Sequence, residues 1–595
     1  MHPATGKGMF RRLNKYLLPH LPLFGAGLFF VFLSNLFSLY PARLISRSMD
    51  LLIDTLNFYP FVHGTFMRPH FVSDTLWFVG VFAGAIILMA LIKGGFMFLM
   101  RQTLIIMSRK IEYEMKNQIF AHYQAMDQAF FKRHATGDLM TRISEDVSKV
   151  RMYIGPAIMY TANMVIMFVL VVSMMLWVSP RLTAVVLLPM PVLSVLIYFV
   201  NKSILIKSDR VQNLLSGLTS FVQESFSGIR LIKAFNKESF FSRAFEARSM
   251  EYRAAGLALA RVDAALFPAI LFLIGTSTLL ALWYGAVEVA SGRITPGVIA
   301  EFIVYVNMLT WPVASLGWVT SIIQQAMASF RRICAFLDTK PAITPGGATP
   351  PSVVETLEFD NVYFTFPDTG IQALRGVSFI VRRGDFFCIT GRTGAGKSAI
   401  VQLIMRFYDP DSGVIRLNGV DIRTLDVREY RKLISYVPQE AFLFSDTVAA
   451  NIGCGASEAP SLSEVSEAAE KAAVLDTIRQ MPQGFETQVG EKGVKISGGQ
   501  KQRLSLARAF LKKPQVYLVD DGLSALDYET EKKIRDQLVQ AQASMVIMTG
   551  HRASAFPENA RVLVLHHGQV VAEGTREILL QKEDYFSTDS IEKNQ

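Results

Sequence analysis

Six stretches of this chain, at about 20–43, 75–100, 156–178, 182–201, 262–286 and 296–322, are almost wholly apolar. A bilayer core of about 30 Å is crossed by roughly 20 apolar residues in a helix, whose backbone then satisfies its own hydrogen bonds. Six such stretches in succession constrain the first half to a helical membrane bundle. The third and fourth are parted only by Ser179-Pro180-Arg181, a tight turn between two spans. The connections after spans two and four are long and polar, and those after spans three and five are very short.

Charge assigns the sides. The long connections hold Arg101, Arg109, Lys110, Lys116, Lys132, Arg133, Arg142 and Lys149, then Lys202, Lys207, Arg210, Arg230, Lys233 and Lys237. The short ones offer Arg181 and Arg293. Lys and Arg accumulate on the cytoplasmic side, so both long loops and both termini are expected there. The formal net charge of +10 is thereby placed beside lipid, and no nucleic-acid partner is implied. Lys7, Arg11, Arg12 and Lys15 precede an apolar run with no small-residue cleavage site, a cytoplasmic start rather than a signal peptide. Hydrophobic residues at 51%, charged residues at 18% and a mean hydropathy of +0.30 agree with membrane residence. Cys334, Cys388 and Cys454 are isolated, so neither a metal cluster nor a disulfide framework is expected. Ile111–Phe131 and Val211–Ala234 lack proline and repeat apolar residues at helical spacing, so spans two to five should continue as helices beyond the bilayer.

From Asp338 to Ser352 the texture turns to proline, glycine and threonine, a linker. Beyond it, short apolar runs alternate with helical stretches, the rhythm of an α/β domain. The expected division is a transmembrane domain at 1–335, a linker at 336–355 and a nucleotide-binding domain at 356–595. The fold class is thus an all-α six-helix membrane domain with long cytoplasmic helical extensions, followed by an α/β P-loop ATPase domain.

Gly391-Arg392-Thr393-Gly394-Ala395-Gly396-Lys397-Ser398 follows the strand-like Phe386–Thr390 and precedes a helical stretch. That is the P-loop pattern in its required strand–loop–helix context. Glycines let backbone N–H groups curl around phosphate, Lys397 reaches the terminal phosphates, and Ser398 offers a hydroxyl to Mg²⁺. ATP and Mg²⁺ are therefore the expected ligands. Val516–Asp520 is an apolar strand ending in a carboxylate, and Asp520 fits the acid that P-loop ATPases deliver to the Mg²⁺ shell. Asp521, next in line, should orient the attacking water.

At this point the chain resembles the ATP-binding cassette (ABC) exporters along its whole length. Ile496-Ser497-Gly498-Gly499-Gln500 matches that family's signature motif, just upstream of the acid strand. The resemblance makes Gln439 (in YVPQE) the Q-loop glutamine, a Mg²⁺ contact, and Asp527 (in SALD) the D-loop aspartate. It makes His551 (in MTGHR) the histidine that contacts the γ-phosphate, and Phe366 the aromatic residue that stacks on adenine, usually tyrosine. Thr136–Leu139 with Arg142 and Asp146 resembles the first cytoplasmic loop of these exporters, and Glu224–Phe235 the second. Val489-Gly490-Glu491-Lys492-Gly493 resembles a segment that touches those loops, each of which bears a short helix seated in an ATPase domain.

The resemblance breaks at Asp521, where the family usually has glutamate. In the family two ATPs lie between two ATPase domains, each site combining one P-loop with the other chain's signature. An intact signature beside Asp521 implies a degenerate subunit of a heterodimer: its own site holds ATP with little turnover, and its Ser497, Gly498, Gly499 and Gln500 complete the site of a second half-transporter. The alternative is a homodimer in which Asp521 is a working catalytic carboxylate; a nucleotide-gated channel or regulatory subunit is the remaining reading. Met164, Met167, Met174, Met175 and Met308 and many phenylalanines either line an adaptable cavity or face lipid. The cargo implied is a hydrophobic or amphipathic drug, lipid or peptide. Lys93 either serves the transport pathway or snorkels to the headgroups, and Glu301 and Arg293 are expected at the outer interface. The expected location is the plasma (inner) membrane of a bacterium.

Overall fold

A computed structural model describes residues 6–62, 64, 66, 68–456, 458–490, 496–541, 544–551 and 556–580. The chain divides into two compact units, one of residues 1–122 with 139–338, the other of residues 123–138 with 339–595. The tip of the first cytoplasmic loop therefore belongs with the C-terminal residues, where the family resemblance seats a short loop helix, although the division at 335 counts it with the membrane domain.

The first unit is helical. After α1 (Gly6–Leu17) come α2 (Leu21–Val62) and α3 (Arg68–Ala125); across the loop tip, which carries α4 (Gln128–Arg133), the chain continues into α5 (Thr136–Thr141). The third span is built from α5, α6 (Val147–Met152) and α7 (Ile158–Val178), joined by π-helical turns at Arg142–Asp146 and Tyr153–Ala157. Pro156 sits in the second π turn, where a widened turn absorbs the missing N–H. Ser179 is extended and accepts from Leu182 N, starting α8 (Pro180–Leu187), followed by α9 (Pro189–Ser227). Next are α10 (Ile229–Ala234), α11 (Glu238–Ala290) and α12 (Pro296–Leu337). Six of the resulting helical stretches are long and apolar enough to cross a membrane.

Leu39, Val171, Leu182, Ile274 and Phe302 belong to one buried cluster drawn from α2, α7, α8, α11 and α12. Phe29, Trp77, Leu91, Phe98, Phe272 and Trp283 stay exposed, a surface that suits lipid rather than water. Inside the bundle Asn35 Nδ2 donates to Asn163 Oδ1 at 2.9 Å, so two polar groups satisfy each other. Glu301, expected at the outer interface, is buried among protein side chains. It is 3% exposed and accepts from Tyr305 Oη at 2.8 Å, because Tyr305 stands one helical turn away on the same face. Arg293 instead pairs with Glu288 at 2.8 Å. Toward the cytoplasmic ends, Arg332 on α12 grips both carboxylate oxygens of the buried Asp146. That pair shares no local sequence signal.

The second unit holds two sheets. β1 (Thr356–Thr365), β2 (Gln372–Arg382), β4 (Ser412–Leu417) and β5 (Val420–Asp421) form an antiparallel sheet in the order β2-β1-β4-β5. The other sheet runs β10-β9-β3-β8-β7-β6. Its strands are β3 (Phe386–Gly391), β6 (Ile434–Val437), β7 (Val516–Asp520), β8 (Met545–Thr549), β9 (Arg561–His566) and β10 (Gln569–Thr575). All are parallel except β10, and β3, β7 and β8 are buried apolar runs, as a sheet covered on both faces requires. The helices are α13 (Lys397–Ile404), α14 (Val427–Lys432), α15 (Val448–Gly453), α16 (Leu462–Lys471), α17 (Leu475–Arg479), α18 (Gly498–Lys512), α19 (Tyr528–Gln540) and α20 (Arg576–Leu580).

Candidate nucleotide site

In a parallel sheet, side chains that handle ligands collect beyond the carboxyl ends of the strands. β3 runs directly into Gly391–Ser398 and α13. Gly394 (φ 82°) and Gly396 (φ 103°) are left-handed, and a Cβ on Gly396 would stand 2.5 Å from the carbonyl oxygen of Ala373. Only glycine fits there. The loop's closure leaves Lys397 7% exposed, with Nζ donating to the carbonyls of Gly391 (2.7 Å) and Arg392 (3.0 Å). Burial holds its ammonium below the ordinary lysine pKa, against the pull of Asp521 and Asp520.

β8 lies between β3 and β7, and this order brings the distant residues together. Asp520, at the end of β7, pairs in register with Thr549 at the end of β8. Thr549 Oγ1 donates to Asp520 Oδ1 at 2.8 Å and accepts from Asp521 N at 2.9 Å, so one hydroxyl braces both acids. Ser398 Oγ donates to the same Asp520 oxygen at 3.1 Å. A hydroxyl and a carboxylate side by side are hard oxygen donors of the kind Mg²⁺ takes, and they fit that ion. Burial raises the Asp520 carboxyl above the usual carboxylate range, Asp521 adds to the rise, and the two hydroxyls oppose it.

Asp521 has φ 50°, a left-handed conformation that aspartate tolerates better than most residues. Its side chain lines a cavity of about 180 Å³ with Ser524, Glu531 and His551. His551 Nδ1 is 3.5 Å from Lys397 Nζ; lysine has only donors, so the contact requires Nδ1 as acceptor and the proton on Nε2. Glu531, buried on α19, and Thr549 were not singled out by the sequence. Gln439 follows β6, the neighbour of β7, and is exposed.

Phe366 directly follows β1, its N–H donating to Ile371 O at 2.9 Å. Its ring packs edge-on against Phe364 (5.0 Å) and Tyr408 (5.8 Å). Ser497 caps α18 in a capping box: its Oγ accepts from Gln500 N, and Gln500 Oε1 accepts from Ser497 N. The glycines of the motif are thus the first two residues of a 15-residue helix whose N-terminal amides face outward, since Ser497 and Gly498 are exposed. Gln502 Oε1, one turn on, accepts from Ala525 N and ties α18 to the D-loop stretch, where Asp527 caps α19. Residues 491–493, the segment resembling a loop-touching motif, lie outside the described residues.

The tip of the first cytoplasmic loop is docked within this unit. Asp127 caps α4 through Phe130 N (2.9 Å) and accepts from Ala342 N (2.6 Å); Arg133 Nη2 donates to Pro367 O, and Ala129 is part of the hydrophobic core. In the other unit, the tip around α10 leaves Phe226, Leu231 and Phe235 65–71% exposed.

Residues 24–313 match the ABC transporter transmembrane region, and residues 374–524 match the ABC transporter family. The multidrug resistance-like ATP-binding protein MdlA of Escherichia coli (strain K12) is 35% identical over 80% of this chain and 81% of its own length. An ATP-dependent lipid A-core flippase of Syntrophus aciditrophicus is 29% identical over 98% of this chain and 94% of its own. Among solved structures, a bacterial Atm1-family ABC exporter with ATP bound superposes with a TM-score of 0.76. It covers 95% of this chain and 98% of its own at 24% identity, a likeness of fold.

Proposed function

This chain belongs to the ATP-binding cassette transporters, and from that membership we propose that it is one half of a two-chain exporter whose partner supplies the glutamate this chain lacks. It is a multi-pass membrane protein, and its ATPase domain drives export. The cargo is a hydrophobic or amphipathic drug, lipid or peptide, and the setting is the inner membrane of a bacterium, as for relatives named for multidrug resistance or lipid A-core flipping. Along the sequence the membrane domain is residues 1–335, the linker 336–355 and the ATPase domain 356–595, with the loop tip 123–138 grouped in the ATPase unit.

Catalysis in such a site is positioning and charge neutralisation. Phe366 stacks on adenine, the amides of Gly391–Gly396 cradle phosphate, and Lys397 exchanges two backbone carbonyls for the terminal phosphates. Mg²⁺, held by Ser398, Asp520 and Gln439, supplies further neutralisation of those phosphates. His551, already beside Lys397, contacts the γ-phosphate, and Asp521 faces the water. Aspartate is one methylene shorter than glutamate, and a displacement of about 1 Å costs on the order of 100-fold in rate. The observation that carries this reading is an aspartate, Asp521, directly after Asp520 and lining a cavity with His551, where the family usually has glutamate. The amides of Ser497, Gly498 and Gly499, with Gln500 and Asp527 behind them, complete the partner's site instead. The bare apolar tip around α10 is a surface for the partner's ATPase domain. ATP binding then closes the two ATPase domains and turns the cavity outward; hydrolysis resets it.

Reconstitution in lipid vesicles, with and without a candidate partner, tests this. The expected result is slow ATP turnover alone, fast turnover and substrate flux in the pair, and little effect of Asp521→Asn in the pair. Fast turnover by the chain alone, abolished by Asp521→Asn, would establish the homodimer.

A further inference from the structure

Lys132 lies on α4, in the tip of the first cytoplasmic loop. Its Nζ stands 4.9 Å from the centroid of the Phe366 ring and 5.6 Å from that of Tyr408. It takes part in no ion pair among the described residues. Its place over the ring is set by a docked helix, since Asp127 joins α4 to Ala342 and Arg133 joins it to Pro367, the residue after Phe366. An ammonium over an aromatic face is attracted by the ring's quadrupole. Phenylalanine has no hydroxyl through which a hydrogen bond could fix its ring. The orientation of Phe366 therefore depends on its neighbours: Phe364 and Tyr408 at its edges, and Lys132.

We infer that Lys132 is a positioning residue for the nucleobase: it holds the Phe366 ring ready to stack on adenine and so couples base occupancy to the docking of α4. The inference rests on the assignment of Phe366 as the adenine-stacking residue. Coupling of this kind is reciprocal. Whatever factor the docked helix adds to adenine affinity, bound adenine adds to docking of the loop that joins α3 to α5. The triphosphate part of the ligand takes no part in the effect, because Lys132 acts through the ring alone.

The test compares Mg²⁺-ATP with Mg²⁺-tripolyphosphate, which has no base, binding calorimetrically to the full chain in lipid nanodiscs. Lys132→Met keeps the stem and removes the charge. It is expected to weaken ATP about two- to fivefold, the range of an exposed cation–aromatic contact, and to leave tripolyphosphate unchanged. Lys132→Arg should restore ATP affinity, since a guanidinium also sits over a ring. In a Phe366→Leu background Lys132→Met should add nothing. Equal weakening of both ligands by Lys132→Met, or no weakening of ATP, overturns the inference. If Phe366→Leu itself leaves ATP affinity intact, the adenine assignment fails as well. If Phe366→Leu weakens ATP and Lys132→Met does not, only the role of Lys132 falls.

Discussion

Lys397 and Ser497 both stand at the start of a helix made from a glycine-rich motif, yet their surroundings differ. Lys397 is buried, and its ammonium is shared among Gly391, Arg392 and His551. Ser497 and Gly498 are exposed, and a Cβ added to Gly498 would meet nothing within 4 Å. One helix start is closed over by its own chain; the other is left open. The cytoplasmic loop tips repeat the division, α4 being anchored by Asp127 and Arg133 while Leu231 and Phe235 beside α10 stay bare. Unfinished surfaces of this kind are what a chain presents when a second chain completes it.

Changing the open helix start gives the largest separation between the two faces. Gly498→Asp has room in the fold and puts a carboxylate at the exposed helix start proposed to meet the partner's phosphates. Steady-state hydrolysis by the assembled pair should fall about 10²–10³-fold, the scale for losing such donors, while nucleotide affinity at this chain's own P-loop is unchanged. A parallel loss of that affinity would dissolve the contrast. On the closed face, Asp521→Glu returns the missing methylene. Single-turnover hydrolysis at this chain's own site should rise on the order of 100-fold, and an unchanged rate would mean that reach is not what limits it.

The loop tips yield a smaller effect. Leu231→Ser with Phe235→Ser should lower substrate-stimulated ATPase about 10-fold through lost burial against a partner, with the melting temperature of the isolated chain unmoved. A drop in that melting temperature would show these side chains to be part of the chain's own packing. Smallest is a stability effect at the closed face. Because burial raises the Asp520 pKa, the fold favours its protonated form, and that contribution is lost as pH rises through the folded value. Asp520→Asn should therefore raise the nucleotide-free melting temperature at neutral pH. The gain should vanish below the ordinary carboxylate range, and Mg²⁺-dependent hydrolysis should be lost throughout. A gain that persists in acid would mean the stabilisation is not electrostatic.

The membrane helices, the P-loop and the acid strand were legible because each is local. Twenty apolar residues in a row, or Gly391–Ser398 behind a strand, carry their physical reason in their own spacing. The burial of Glu301 was not legible because it depends on Tyr305 and the surrounding helices, and position along a span does not report packing within a bundle. Arg332 with Asp146, and Thr549 between Asp520 and Asp521, were invisible for the same reason: their partners are far away in sequence.

Hydrophobic spacing and glycine placement by themselves determined a six-span membrane domain joined to an ATP-binding α/β domain, since backbone hydrogen bonding in lipid and phosphate binding each admit few local solutions. Only the tertiary structure decided that β8 inserts between β3 and β7 and so brings His551 to Lys397 and Thr549 to both acids. The resemblance seated a short loop helix in an ATPase domain, but the tertiary structure alone set Lys132 of α4 above Phe366. Contacts across such sequence distances depend on strand order and helix docking, which no local pattern encodes.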